Sequence, residues 1–136
     1  PPATCNATTL HGEIRVFGVG PARWLLVAPE SMELPARLLG RMPAVAAAIT
    51  DLSHGRTVVR GSGPDTRRML AKLCILDLDA RVFTTGRCAQ TLLGQAGVLL
   101  AAVSEDVIDV FLSRSYAICA WATLADAAAE YGYPVV

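Results

Sequence analysis

One stretch constrains the fold more than any other: Asp51-Leu-Ser-His-Gly-Arg-Thr-Val-Val-Arg60, then Gly61-Ser-Gly-Pro64, then Asp65-Thr-Arg-Arg-Met-Leu-Ala-Lys-Leu-Cys74. Val58 and Val59 sit in a β-favouring run, and the Gly/Pro cluster breaks it with residues that relieve backbone strain and fix φ. Pro64 falls where a first helical residue belongs, because its missing N–H would be unpaired there anyway. Asp65 follows in the first turn, where negative charge suits the helix dipole. Met69, Leu70 and Leu73 form an apolar stripe, and Arg68 and Lys72 place cations towards the far end. The pattern predicts a strand, a tight turn and a helix over 64–74.

Residues 1–11 show neither helical nor strand period and are expected to form a loose arm. The alternation in 13–17 predicts a strand with one wet face, and the apolar run of 23–28 a second strand buried on both faces, joined to the first by a turn at Gly18-Val-Gly-Pro21. Ser31 can cap a helix carrying Leu34, Leu38 and Leu39, which Pro35 confines to starting near it. Residues 44–53 are expected to return as a strand, turning at His54-Gly55 into 56–60. Leu76, Leu78, Val82 and Phe83 anchor a loop over 75–86. Strands follow at 88–93, 98–103 and 107–112, and a helix at 116–131, ended by Gly132. On that helix Ile118, Trp121, Ala125 and Ala128 are read as the buried side, opposite Thr123, Asp126 and Glu130. Strands and helices do not alternate in the rhythm of a parallel sheet. The expectation is a single α+β domain over 1–136, an antiparallel or mixed sheet with helices packed on one face.

Composition narrows the partners. Lys plus Arg and Asp plus Glu are 12 each, so no overall field draws in nucleic acid or an anionic membrane. The longest apolar runs fall far short of the ~20 residues of a membrane span, and no leader pattern opens the residues in hand. The hydrophobic share is 53% and the charged share 18%, against about a quarter charged in an ordinary domain, so some apolar surface is expected to face a partner. Cys5, Cys74, Cys88 and Cys119 form no Cys-x-x-Cys pair and read as free thiols of a reducing compartment, the cytoplasm.

Candidates for chemistry fail one by one. Ser53 and His54 beside Asp51 invite a triad, but adjacent residues of an extended strand point to opposite faces. The two Gly-x-Gly-Pro turns lack phosphate-loop spacing, and proline removes an N–H that a phosphate would use. His11 and His54 stand alone. The acidic sets Asp77 with Asp79, and Glu105, Asp106 with Asp109, lack the glycine-centred spacing of a calcium loop. Trp24, Phe111, Tyr116 and Trp121 could form a stacking platform, but each reads as core packing. The sequence assigns no catalytic, cofactor-binding or metal-ligating residue.

A family resemblance runs through the same residues. Asp-Leu-Ser-His-Gly-Arg-Thr-Val-Val-Arg, Ser-Gly-Pro-Asp, Leu-Asp-Leu, Cys-Ala-Gln-Thr-Leu-Leu, Asp-Val-Phe-Leu-Ser-Arg-Ser-Tyr-Ala and Ala-Ala-Glu-Tyr-Gly occur in collinear order over roughly 21–132. This resembles the γ subunits of heterotetrameric sarcosine oxidases, departing by a shorter N-terminus and by Ile75 where proline is common. The resemblance implies a fold like the N-terminal lobe of the glycine-cleavage T-protein family. It also implies a complex that demethylates sarcosine oxidatively to glycine, passes the one-carbon unit to tetrahydrofolate and forms hydrogen peroxide. In such complexes FAD, FMN, NAD and tetrahydrofolate belong to the α and β subunits and zinc to the δ subunit, while γ holds none of them and packs against α. Two alternatives stay open: a stand-alone folate-type binding module, and a γ-like subunit of a sister complex acting on another N-methyl amine.

Overall fold

The computed structural model describes residues 2, 4–41 and 47–136. Its centre is a four-stranded antiparallel sheet in the order β4-β7-β6-β5, built from β4 (Arg56–Ser62), β5 (Cys88–Leu93), β6 (Ala96–Ser104) and β7 (Val107–Ser113). The two central strands carry apolar residues at nearly every position, as strands covered on both faces must. Their pleat sorts those residues between two layers. Val98, Leu100, Ala102, Ile108, Val110 and Leu112 face the helices α2 (Thr66–Ala71) and α3 (Ala117–Ala128), meeting Met69, Leu70, Ala120 and Leu124. Leu99, Ala101 and Phe111 face the other way, towards Phe17 and a second, three-stranded sheet. Phe17 and Phe111 meet edge to face, with ring centroids 5.1 Å apart.

The strand, turn and helix expected around Gly61–Pro64 are present. Gly63 adopts φ +119, a backbone conformation L side chains rarely tolerate, and its N–H donates to the Asp106 carbonyl at 2.9 Å. A Cβ on Gly61 would stand 2.9 Å from Thr66 Cγ2, so the missing side chain lets α2 fold back onto β4. The helix is shorter than the predicted 64–74: Pro64 and Asp65 form the turn, and Asp65 accepts the Met69 N–H as its cap residue.

The second sheet runs β1-β2-β3, from β1 (Thr8–His11), β2 (Ile14–Gly20) and β3 (Arg23–Val27). Residues 8–11 are therefore a strand and not part of a loose arm. They pair antiparallel with β2, and Leu10, opposite Arg15, is their one large apolar residue, too little for a period to register. Just before them, Asn6 donates its N–H to Gly18, and its carbonyl accepts the Cys88 N–H, tying one sheet to the other. β3 is an edge strand and is not buried on both faces; Trp24 is 44% exposed.

Residues 47–53, expected as strand, form none, and 44–46 lie outside the described residues. Between Ala47 and Ser53 only Ile49 and Leu52 are large apolar residues, too few to fill one face of a strand. Helix α1 (Leu34–Leu39) forms behind Pro35 without a buried residue. In the loop over 75–86, Leu78 and Phe83 are buried anchors, whereas Ile75 and Val82 are exposed.

The face of α3 is corrected as well. Ala120 and Leu124 are its buried residues, with Ala127, Ala128 and Tyr131 packed beside them, while Ile118 is 85% exposed and Trp121 44%. So many residues of this helix are apolar that side-chain type cannot say which stripe is inward. We expect Leu124→Ala to lower unfolding stability by about 2–4 kcal/mol, and Ile118→Ala to stay within about 0.5 kcal/mol of the wild type. Urea unfolding midpoints at constant m-value test the assignment, and a reversed order would refute it.

Candidate functional site

Asp109 sits in the middle of β7 with 2% of its surface exposed. An ionised carboxylate so placed needs cations against it. Arg60, its cross-strand neighbour on β4, donates from Nε to Oδ1 at 2.6 Å and from Nη2 to Oδ2 at 2.9 Å, a two-bonded fork. Arg15, from β2 of the other sheet, donates from Nη1 to Oδ2 at 2.8 Å. Burial pushes the Asp109 carboxyl upward, but the hydrogen bonds and charges of Arg60 and Arg15 outweigh it and hold the group below its ordinary value. The guanidiniums are wetter than their acid, with side-chain exposures of 55% for Arg60 and 29% for Arg15.

This triad forms the floor of an open cleft of about 340 Å³ between the β1–β2 hairpin and the β4–β7 pair. Leu10, Val27, Val58 and Phe111 line its walls, and Glu13 stands at the rim. The arrangement can hold an anion beside apolar groups. It offers no nucleophile with a base, because Arg and a paired carboxylate neither attack nor relay a proton readily.

The residues weighed from the sequence are scattered. Ser53 Oγ donates to Asp51 Oδ1 at 2.5 Å, and the Ser53 N–H donates to the same oxygen at 2.9 Å, an exposed turn that needs no His54. Asp79 pairs with Arg81 through two 2.9 Å bonds, chiefly the side-chain contact lowering it to about 2, and accepts the Arg81 N–H as well. Asp77 caps the Asp79 N–H in the same loop. Glu105 and Asp106 are exposed in the β6–β7 turn, well apart in role from Asp109. No group of three or more His, Cys, Asp or Glu able to hold a metal occurs among the described residues. Of the four aromatics, Phe111 is core as expected, but Trp24, Tyr116 and Trp121 are half exposed. Trp24 lies on β3 of the small sheet and Trp121 on α3, on the opposite side of the large sheet, so they form no common platform. The Cys88 thiol is pushed up by burial, the state of an inert core thiol.

What sequence reasoning missed is the triad. Its signal was present: a lone acid in the apolar run Val107-Ile-Asp-Val-Phe-Leu112, and an arginine inside each of two strand patterns.

Residues 4–130 match the model of the sarcosine oxidase, gamma subunit family. The chain belongs to that family. Two curated sarcosine oxidase γ subunits, from Corynebacterium sp. (strain P-1) and Arthrobacter sp, are 36% and 34% identical over 90 residues, 66% of this chain and 44% of each relative. The matched part thus spans less than half the length of those relatives. The fold is similar to a chain of the heterotetrameric sarcosine oxidase from Corynebacterium sp. U-96, solved with pyrrole 2-carboxylate, with a TM-score of 0.90, 29% identity and coverage of 99% of this chain and 70% of that one. Among the described residues no helix is long and apolar enough to cross a membrane.

Because the folded Asp109 lies below its unfolded value, its ionisation contributes stability that is present above the unfolded carboxylate range and lost as pH falls through the folded value. We expect Asp109→Asn to cost about 1–3 kcal/mol at pH 7, and progressively less as pH falls below the unfolded carboxylate range, where the wild-type acid limb falls towards it. Chemical unfolding between pH 3 and 7 checks this; parallel pH profiles would count against it.

Proposed function

We propose that this chain is a non-catalytic, single-domain γ subunit of a heterotetrameric sarcosine oxidase. The complex demethylates sarcosine oxidatively to glycine, hands the one-carbon unit to tetrahydrofolate and forms hydrogen peroxide. The observation that carries the reading is the likeness, over 99% of this chain, to a chain of such a heterotetramer. Membership of the γ family agrees with it.

In this reading FAD, FMN, NAD and tetrahydrofolate are held by the α and β subunits and zinc by δ, all in the cytoplasm. The chain itself contributes packing, and α is its direct partner. Its apolar exterior supports that role: Leu10, Leu39, Ile75 and Leu92 are each more than half exposed, surface that covering by a partner would stabilise.

Co-expression with the cognate large subunits is expected to yield one particle containing this chain in fixed ratio, oxidising sarcosine with release of peroxide. The isolated chain is expected to bind no flavin. Titration with tetrahydrofolate is expected to leave the fluorescence of Trp24 and Trp121 without a saturable change. Turnover by the lone chain, or folate saturation, would instead make it an enzyme or a binding module in its own right.

A further inference from the structure

We propose that the cleft over Asp109 is where a partner subunit docks, through a carboxylate side chain flanked by aliphatic residues. The inference rests on the subunit reading above and names the surface. Three observations converge there. The rim is apolar and uncovered, with Leu10 67%, Val58 47% and Val27 36% exposed. A small ligand on the cleft floor would leave that rim wet, whereas a protein segment lying across it would cover it.

Charge decides what the segment carries. Two guanidiniums share one carboxylate, so the triad holds an uncompensated positive charge. Glu13 at the rim is exposed and forms no ion pair among the described residues. Water solvates the surplus while the cleft is open. Any partner that covers the rim removes that water, and a buried unpaired cation is costly unless the partner supplies an anion. Donors are ready for one: Arg60 spends Nε and Nη2 on Asp109, and Arg15 spends only Nη1. The third observation is the backbone. β4 is an edge of its sheet, so one side of this seven-residue strand is open beside the cleft, where an extended segment can hydrogen-bond.

The test uses the co-expressed complex, with variants of Val58, which touches the cleft without belonging to the triad, and of Ile118 on the outer side of α3 as control. Val58→Asp should weaken assembly roughly 30-fold or more, in the range for spoiling a desolvated charge pair, and Val58→Lys several-fold less. Ile118→Asp should assemble as the wild type does. Arg60→Gln, checked for folding by its melting temperature, should weaken assembly and reduce its salt dependence. Equal losses for Val58→Asp and Val58→Lys would overturn the carboxylate, and loss confined to Ile118→Asp would overturn the surface while leaving the subunit reading intact. A wild-type chain that assembles with nothing overturns both.

Discussion

A carboxylate with almost no access to water cannot sit in a sheet unless cations are brought to it, and Asp109 imposes that condition on three strands at once. Arg60 arrives through the β4–β7 register and Arg15 through the placement of the small sheet over the large one. A slip of either strand by one residue would turn its arginine to the opposite face and strand the acid. The triad need not add much net stability, because desolvation offsets most of the attraction within buried ion pairs. What it does fix is geometric: the contact from Arg15 on the small sheet to Asp109 on the large one is made only when the two sheets are stacked in this register.

Around that contact the chain is layered. Alternate residues of β6 and β7 supply both faces of the large sheet, so these two strands belong to two cores simultaneously. One core is closed by α2 and α3, the other by Phe17 and its sheet. Lys72, reaching Glu130 and lying over the Tyr131 ring at 4.6 Å, clasps α2 to the end of α3 at the surface. Arg67 does the same for the loop over 75–86, donating to the carbonyls of Leu78, Phe83 and Glu105.

The elements with strong local signals were legible in the sequence: the Gly-Ser-Gly-Pro turn with its flanking strand and helix, and the three C-terminal strands with their apolar runs. What was not legible depended on partners distant in the chain. Thr8–His11 is a strand because β2 lies beside it, and Trp24 is exposed because β3 is an edge. Ile118 and Leu124 are equally apolar, and only the sheet beneath α3 distinguishes them. Asp109 looked like part of an acidic turn with Glu105 and Asp106, although its position inside an apolar strand was the better guide. The family resemblance needed none of this, because it rests on residue identity in order, and the fold it implied agrees in class with the one observed.

The seam made by Asn6 and Ala7 bears on the order of folding. Ala7 and Cys88 are 81 residues apart, yet the peptide groups of this short stretch bond to Gly18 on one side and to Cys88 on the other. During synthesis the first of these partners follows the stretch closely, and the second is made only 81 residues after Ala7. Asn6 and Ala7 must therefore wait, half engaged, until β5 exists, and the joining of the two sheets is a non-local event of the kind that slows folding.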